Sequence, residues 1–191
     1  EHVENLLELQ KRLGAKHETG AVTEAVRLGA VLASHDDTTA DHVATSFANG
    51  AGFAEFRTTV EAARACRAHG IAVMMGAPNL IRGGSHSGNV AAQDLAEAGL
   101  CDALASDYHY PAPRQAALHL APKLGLAAAW GLVSAGPARL LGLRDRGQIA
   151  PGLRADLVVL DARGDVCLTI AAGLPTYATG QGAAALLAAR D

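Results

Sequence analysis

The chain has 191 residues, half of them hydrophobic, enough for one sizeable core and a small second module. Sixteen Lys and Arg against 19 Asp and Glu leave a net charge of -3, so there is no general attraction for nucleic acid or an acidic membrane, and any anion has to be gripped locally. The apolar runs at 30–33 and 71–75 fall far short of the about 20 residues that span a bilayer. Cys66, Cys101 and Cys167 are too widely spaced for a disulfide framework or a CxxC knuckle, and a reducing cytoplasm is the expected setting.

Val3, Leu6, Leu7 and Leu13 recur at helical spacing and predict an amphipathic helix over 2–14, stopping near Gly14. From Ala30 onward, short apolar runs alternate with capped helical segments, the pattern of repeated βα units. The first strand, 30–33, opens into Ser34-His35-Asp36-Asp37, and its helix runs from about Thr39 to Asn49-Gly50. The second strand, 53–56, precedes a helix with Thr58 as N-cap, Glu61 three positions on, and Gly70 as its stop. The third, 71–75, feeds a long loop over 76–88 before Asn89 caps a helix to about Ala98. The fourth, 100–106, delivers Asp107, and helices over 112–121 and 126–136 follow. Four such units make the predicted fold class α/β, half of an eight-stranded (β/α)8 TIM-like barrel, over 1–142. Strand-like runs at 147–149, 155–160 and 166–170, with a turn and further strand at 173–177, predict a small β module over 143–180. The Gly/Ala-rich stretch 181–191 is expected to be a disordered tail.

In such a barrel, side chains at strand ends converge on one rim. His35 and Asp107 occupy strand ends. A neutral imidazole and a carboxylate are usual ligands of a divalent metal that activates water, and Asp107 is also suited to take the water's proton. The alternative is a hydrogen-bonded loop histidine and an N-cap aspartate. Asp36 and Asp37 either orient the imidazole or cap the helix at Thr39, with capping favoured for at least one of them. Glu55 ends the second strand at the same rim. Arg57 reads either as a donor to substrate phosphate or as the salt-bridge partner of Glu55.

The segment 76–89 is long for a βα connection. Gly83 and Gly84 free backbone N–H groups, Ser85 and Ser87 add hydroxyls, and Arg82 adds a bidentate donor, which together suit a phosphate. Asn79 stands in the same segment. It is not a Walker loop, since no Gly-Lys-Ser/Thr ending is present, and a flexible lid is the plainer alternative. His86 is open to three roles: metal ligand, proton donor to a leaving group, or solvated loop histidine. His109 lies closer to the site than the remaining histidines, and its neighbours Tyr108 and Tyr110 either line a pocket or pack the loop.

Taken together, Ser34-His35-Asp36-Asp37-Thr38, the run from Glu55 to Ala63, the run from Gly76 to Ala92, Ser106-Asp107-Tyr108 with Pro111, Pro137-Ala138-Arg139 and the run 147–160 resemble the PhnM-type hydrolases of the carbon-phosphorus lyase pathway. Gly-Gly-Ser-His-Ser-Gly-Asn, 83–89, is the most specific part. The resemblance implies an amidohydrolase-type barrel with part of a composite β-sandwich. It also implies hydrolysis of alpha-D-ribose 1-methylphosphonate 5-triphosphate to the 5-phosphate and pyrophosphate, with a divalent metal, zinc, as cofactor. On that pattern His35 matches the strand-five histidine ligand, and Asp107 the strand-eight aspartate that binds metal and handles the water proton. Glu55 stands where a strand-six histidine is expected, so either Glu55 or His86 replaces it. The implied site is then His35, Glu55 and Asp107 on the metal, Asp107 and His86 in catalysis, and Asn79, Arg82, Gly83, Gly84, Ser85 and Arg57 on the substrate.

The superfamily's first-strand His-x-His pair and fourth-strand Lys or Glu have no match before Val31. The chain therefore reads as strands five to eight, and by itself is expected to be inactive and poorly soluble. Its expected partners are a small phosphorylated substrate and the N-terminal half of the same barrel, with no nucleic acid and no membrane; a homo-oligomer is left open. The competing readings are a deaminase or cyclic-amide hydrolase on the same barrel, and a non-catalytic half-barrel.

Overall fold

The first helix, α1 (His2–Leu28), passes through Gly14 without a break, well beyond the expected stop. An internal glycine costs a helix only about 1 kcal/mol relative to alanine, and the good helix formers after it, Ala15, Lys16 and Glu18, carry the helix on. None of its residues is buried, and Val3, Leu6 and Leu7 face outward. The computed structural model describes residues 2–84 and 89–188. It divides into two compact units, 1–102 and 103–191.

The first unit continues with β1 (Ala33–His35), α2 (Ala40–Ala48), β2 (Phe53–Glu55), α3 (Val60–Ala68), β3 (Ala72–Gly76), α4 (Ala77–Ile81) and α5 (Ala92–Glu97). The three strands are parallel: Ala33 pairs with Phe53 and His35 with Glu55, while Phe53 pairs with Ala72 and Glu55 with Met74. This establishes an α/β fold with a parallel sheet. Parallel strands need crossover connections, and α2 and α3 supply them. Val43, Ala54, Ala62, Cys66, Val73 and Leu95 form the core of this unit, each at most 1% exposed. Burial pushes the Cys66 thiol above its ordinary range, with the positive charge of Arg57 opposing.

The helix starts differ from the sequence expectation in instructive ways. Thr39, not Asp36 or Asp37, caps α2, accepting from the His42 N–H, because both aspartates are engaged elsewhere. Thr59, not Thr58, caps α3, accepting from the Ala62 N–H. Glu61 accordingly closes no capping box; its Oε1 accepts from the Ala40 N–H at the start of α2, 3.2 Å away. Residues 77–81, expected as loop, form the short helix α4, with Pro78 in its first turn. The start of α5 is capped not by Asn89 but by Asn79, whose Oδ1 accepts from the Ala92 N–H at 2.9 Å.

The second unit holds β4 (Ala103–Ala105), α6 (Ala112–Leu124), α7 (Leu126–Gly131), α8 (Ala135–Leu140), β5 (Leu157–Leu160), β6 (Val166–Ala171), β7 (Leu174–Ala178) and α9 (Gly180–Ala188). The segment expected as one helix over 126–136 is divided by the turn at 132–134 into α7 and α8. Strands β5, β6 and β7 make an antiparallel sheet in that order, while the expected strand at 147–149 is absent. The terminal stretch is a helix rather than a disordered tail as far as residue 188. It lies so close on β6 that a Cβ at Gly182 would collide with the Cys167 carbonyl oxygen. Small residues there let a Gly/Ala-rich segment bury backbone against backbone. No helix among the described residues is long and apolar enough to cross a membrane.

Candidate functional site

The ends of β1 and β2 bring two of the expected ligands side by side, since the parallel register sets His35 opposite Glu55. His35 is exposed, and its Nδ1 lies 3.0 Å from Asp36 Oδ2. Asp36 is thus placed to orient the ring through Nδ1. The imidazole also meets the Phe56 ring edge-on, centroids 5.1 Å apart.

Both strands turn sharply right after these residues. Asp36 and Phe56 have φ of +57° and +52°, in the left-handed region. Aspartate visits that region readily, but a bulky phenylalanine there is strained unless its surroundings hold it. Phe56 N–H donates to the Met74 carbonyl at 2.9 Å, and Asp36 N–H donates to the Glu55 carbonyl at 3.2 Å. The Phe56 ring lies over Gly76 at the end of β3, where a Cβ would stand 3.1 Å from the ring, so only glycine admits this contact without a shift. A cavity of about 310 Å³ opens beside this rim, with Glu18, Leu32, Ser34, His35, Asp37 and Ser46 among its lining residues.

Arg57 faces inward. Its side chain is fully buried; Nη2 donates to the Ser34 carbonyl at 3.1 Å and to the Glu55 carbonyl at 2.8 Å, and Nη1 pairs with Asp37 Oδ2. Asp37 also accepts from Ser46 Oγ at 2.9 Å. The expected salt bridge to the Glu55 side chain is thus replaced by a bond to its backbone, and the guanidinium is engaged inside the protein instead of meeting solvent. Arg57 Nε and Nη1 and Ser34 Oγ are buried and make no hydrogen bond among the described residues, so Nη1 meets Asp37 through the ion pair alone.

The segment expected to cradle an anion divides in two. Arg82, Gly83 and Gly84 form the C-terminal turn of α4, and their N–H groups donate to the carbonyls of Pro78, Leu80 and Asn79. Those three amides are engaged within the turn, and Asn79 Oδ1 is engaged as the α5 cap. The Arg82 side chain is exposed. Ser85, His86, Ser87 and Gly88 lie outside the described residues.

Asp107, in the second unit, is exposed two residues beyond the end of β4. It caps no helix, because α6 begins at Ala112 behind Pro111. The neighbouring turn is closed by Ser106 Oγ, which accepts from the His109 N–H at 2.9 Å, and Tyr108 and Tyr110 are exposed rather than packed on the loop. Among the described residues, no three His, Cys, Asp or Glu side chains cluster as a metal site.

What the sequence reading missed is Asp37 as the anchor of Arg57 and Phe56 as the strained neighbour of His35. The pairing of Asp37 with Arg57 joins residues that only the parallel register brings together, and no local motif announces it.

No family model matches the chain. Over 132 residues, 67% of its length, it is 54% identical to the alpha-D-ribose 1-methylphosphonate 5-triphosphate diphosphatase of Escherichia coli K12, and it spans only 35% of that relative. Among solved structures it is similar to an N-acetyl-D-glucosamine-6-phosphate deacetylase from Mycobacterium smegmatis, at 22% identity and a TM-score of 0.62 over 83% of this chain and 51% of that one. It is also similar to a 5-methylcytosine deaminase from Klebsiella pneumoniae, at 20% identity and a TM-score of 0.61 over 87% of this chain and 52% of that one. Over those 132 residues the chain resembles this diphosphatase, and its fold is shared with solved structures that include an amidohydrolase.

Proposed function

We propose that this chain supplies part of a metal-dependent hydrolase that cleaves the 5-triphosphate of alpha-D-ribose 1-methylphosphonate 5-triphosphate and releases pyrophosphate. The observation that carries the reading is the 54% identity to a diphosphatase over 132 residues of this chain. The half-barrel architecture belongs to the same proposal: three parallel strands with helical crossovers, ending on one rim, are what four consecutive units of a (β/α)8 barrel would begin with.

The donor chemistry fits a divalent cation such as zinc. An imidazole oriented by a carboxylate through Nδ1, next to a glutamate at the neighbouring strand end, is a common half of such a shell. His35 and Glu55 would hold the ion, and two donors on one sheet leave the shell to be completed by other residues. Bound there, the metal would lower the pKa of water and polarise a phosphoryl oxygen. Asp107, exposed after its strand, is suited to take a proton from the attacking water, and His86 to give one to the leaving pyrophosphate. With the amides of residues 82–84 engaged, the grip on phosphate falls to the Arg82 side chain and Ser85.

The test is a chimera in which the matched residues of the E. coli diphosphatase are replaced by those of this chain, assayed for pyrophosphate and ammonia. The expected result is pyrophosphate release from the ribose triphosphate, falling to background in His35→Ala and Asp107→Ala. Ammonia release from amino-substituted bases without pyrophosphate would replace this reading with a deaminase. A folded chimera that does neither would reject hydrolysis by these residues.

A further inference from the structure

We infer that Arg57 is a positioning residue for the rim formed by His35 and Glu55. The inference rests on the proposed function only for what the rim holds, and on geometry for the clamp itself. One guanidinium nitrogen, Nη2, joins the carbonyl of Ser34, the residue before His35, to the carbonyl of Glu55, at 3.1 and 2.8 Å. A second, Nη1, pairs with Asp37, two residues past His35. The chain leaving β1 is therefore held on both sides of His35, and the chain leaving β2 is held at Glu55.

Within this clamp lie the two left-handed residues, Asp36 and Phe56, each immediately following a proposed ligand. Strained conformations persist only where the surroundings over-determine them. Here the planar fork of arginine does this, because it presents several donors in fixed directions to acceptors on two strands. A lysine can carry the charge to Asp37 but cannot present the same fork to the two carbonyls. The partners of Arg57 all lie at the rim, and its side chain is 0% exposed, so direct contact with a substrate is not its role.

The experiment uses the full chain in four forms: wild type, Arg57→Met, Arg57→Lys, and Leu95→Ala as a control that opens a cavity in the core away from the rim. NMR reads the contact between the His35 and Phe56 rings and the exchange rate of the Asp36 amide. Co²⁺ titration of the chimera carrying the same Arg57 substitutions, followed by absorbance, reads the metal arm. In Arg57→Met the ring contact is lost and Asp36 exchange accelerates relative to the other sheet amides, while Leu95→Ala retains both. Cobalt affinity falls on the order of 10- to 100-fold in Arg57→Met, as for loss of a group that orients a ligand. Arg57→Lys shows the same pattern to a smaller degree, and serves alone if Arg57→Met does not fold.

An unchanged ring contact and unchanged Asp36 exchange in both Arg57 variants overturn the inference. So does an equal loss in Leu95→Ala, which would make Arg57 merely a contributor to stability. If the unsubstituted chimera binds no cobalt while the NMR pattern holds, the positioning role stands and the metal reading fails.

Discussion

Each unit of the molecule contains an arginine paired with an aspartate, and the two pairs do opposite work. In the first unit Arg57 and Asp37 are buried and join the ends of two parallel strands. In the second, Arg163 lies 3.4 Å from Asp161 in the turn between β5 and β6, with the arginine side chain 82% exposed. The exposed pair gains little from its charges, since water and salt screen them and holding two long side chains costs entropy. The buried pair cannot be judged by the same rule: its charges have lost their water, so each depends on the other and on the carbonyls around it. Identical residue types thus fix the geometry of a functional rim in one place and decorate a turn in the other.

Removing one partner from each pair is the strongest way to break this comparison. Asp37→Ala leaves the Arg57 guanidinium buried with only two carbonyl acceptors, and stability should fall by about 3–5 kcal/mol. Arg163→Ala should leave the denaturation midpoint of the same chain where it was. Urea denaturation of both variants checks this. Equal effects would mean that the burial difference between the pairs carries no energetic weight.

The same contrast explains what could be read from the sequence. The parallel strands were legible because short apolar runs separated by capped helices leave few alternatives, and all four predicted strands exist within a few residues of their expected places. His35, Glu55 and Asp107 were legible as strand-end residues for the same reason. Features made by distant partners were not. Asp37 looked like a helix cap because an aspartate before a helix usually is one, yet the arginine brought to it by sheet register was the stronger partner. Asn79 looked like a ligand to substrate, yet it caps a helix that begins 13 residues later. At the C-terminus, glycine and alanine content suggested disorder, whereas close backbone packing needs such small residues.

Asn79 offers a sharper test of how far these long-range polar links extend. The N–H it satisfies belongs to Ala92, which is fully buried. Asn79→Ala should therefore cost about 1–3 kcal/mol, the range for leaving a buried donor without an acceptor. Amide exchange should localise the loss to the first turn of α5. A loss spread evenly over the unit would instead show that Asn79 acts by packing.

The smallest expected effect concerns the exposed side of the comparison. Asp161 Oδ1 accepts from the N–H groups of Arg163 and Asp165, each at 2.9 Å, and these backbone bonds, the one from Asp165 foremost, hold its carboxyl below the usual aspartate range. A carboxylate lowered in the folded state contributes fully above its ordinary pKa, and the contribution is lost as the pH falls through the lowered value. The turn should therefore keep its order at neutral pH and loosen only in strong acid. The amide resonances of Arg163 and Asp165 should move with a midpoint below that of an ordinary aspartate. Asp161→Asn keeps an acceptor oxygen in place but removes the titrating group, so the turn should remain while that acid transition disappears. If the transition persisted in the variant, another carboxylate, Asp165 first, would be controlling the turn. If Asp161→Asn abolished the turn at neutral pH, the charge itself would be required, and the half-buried Asp161 would resemble Asp37 more than its surroundings suggest.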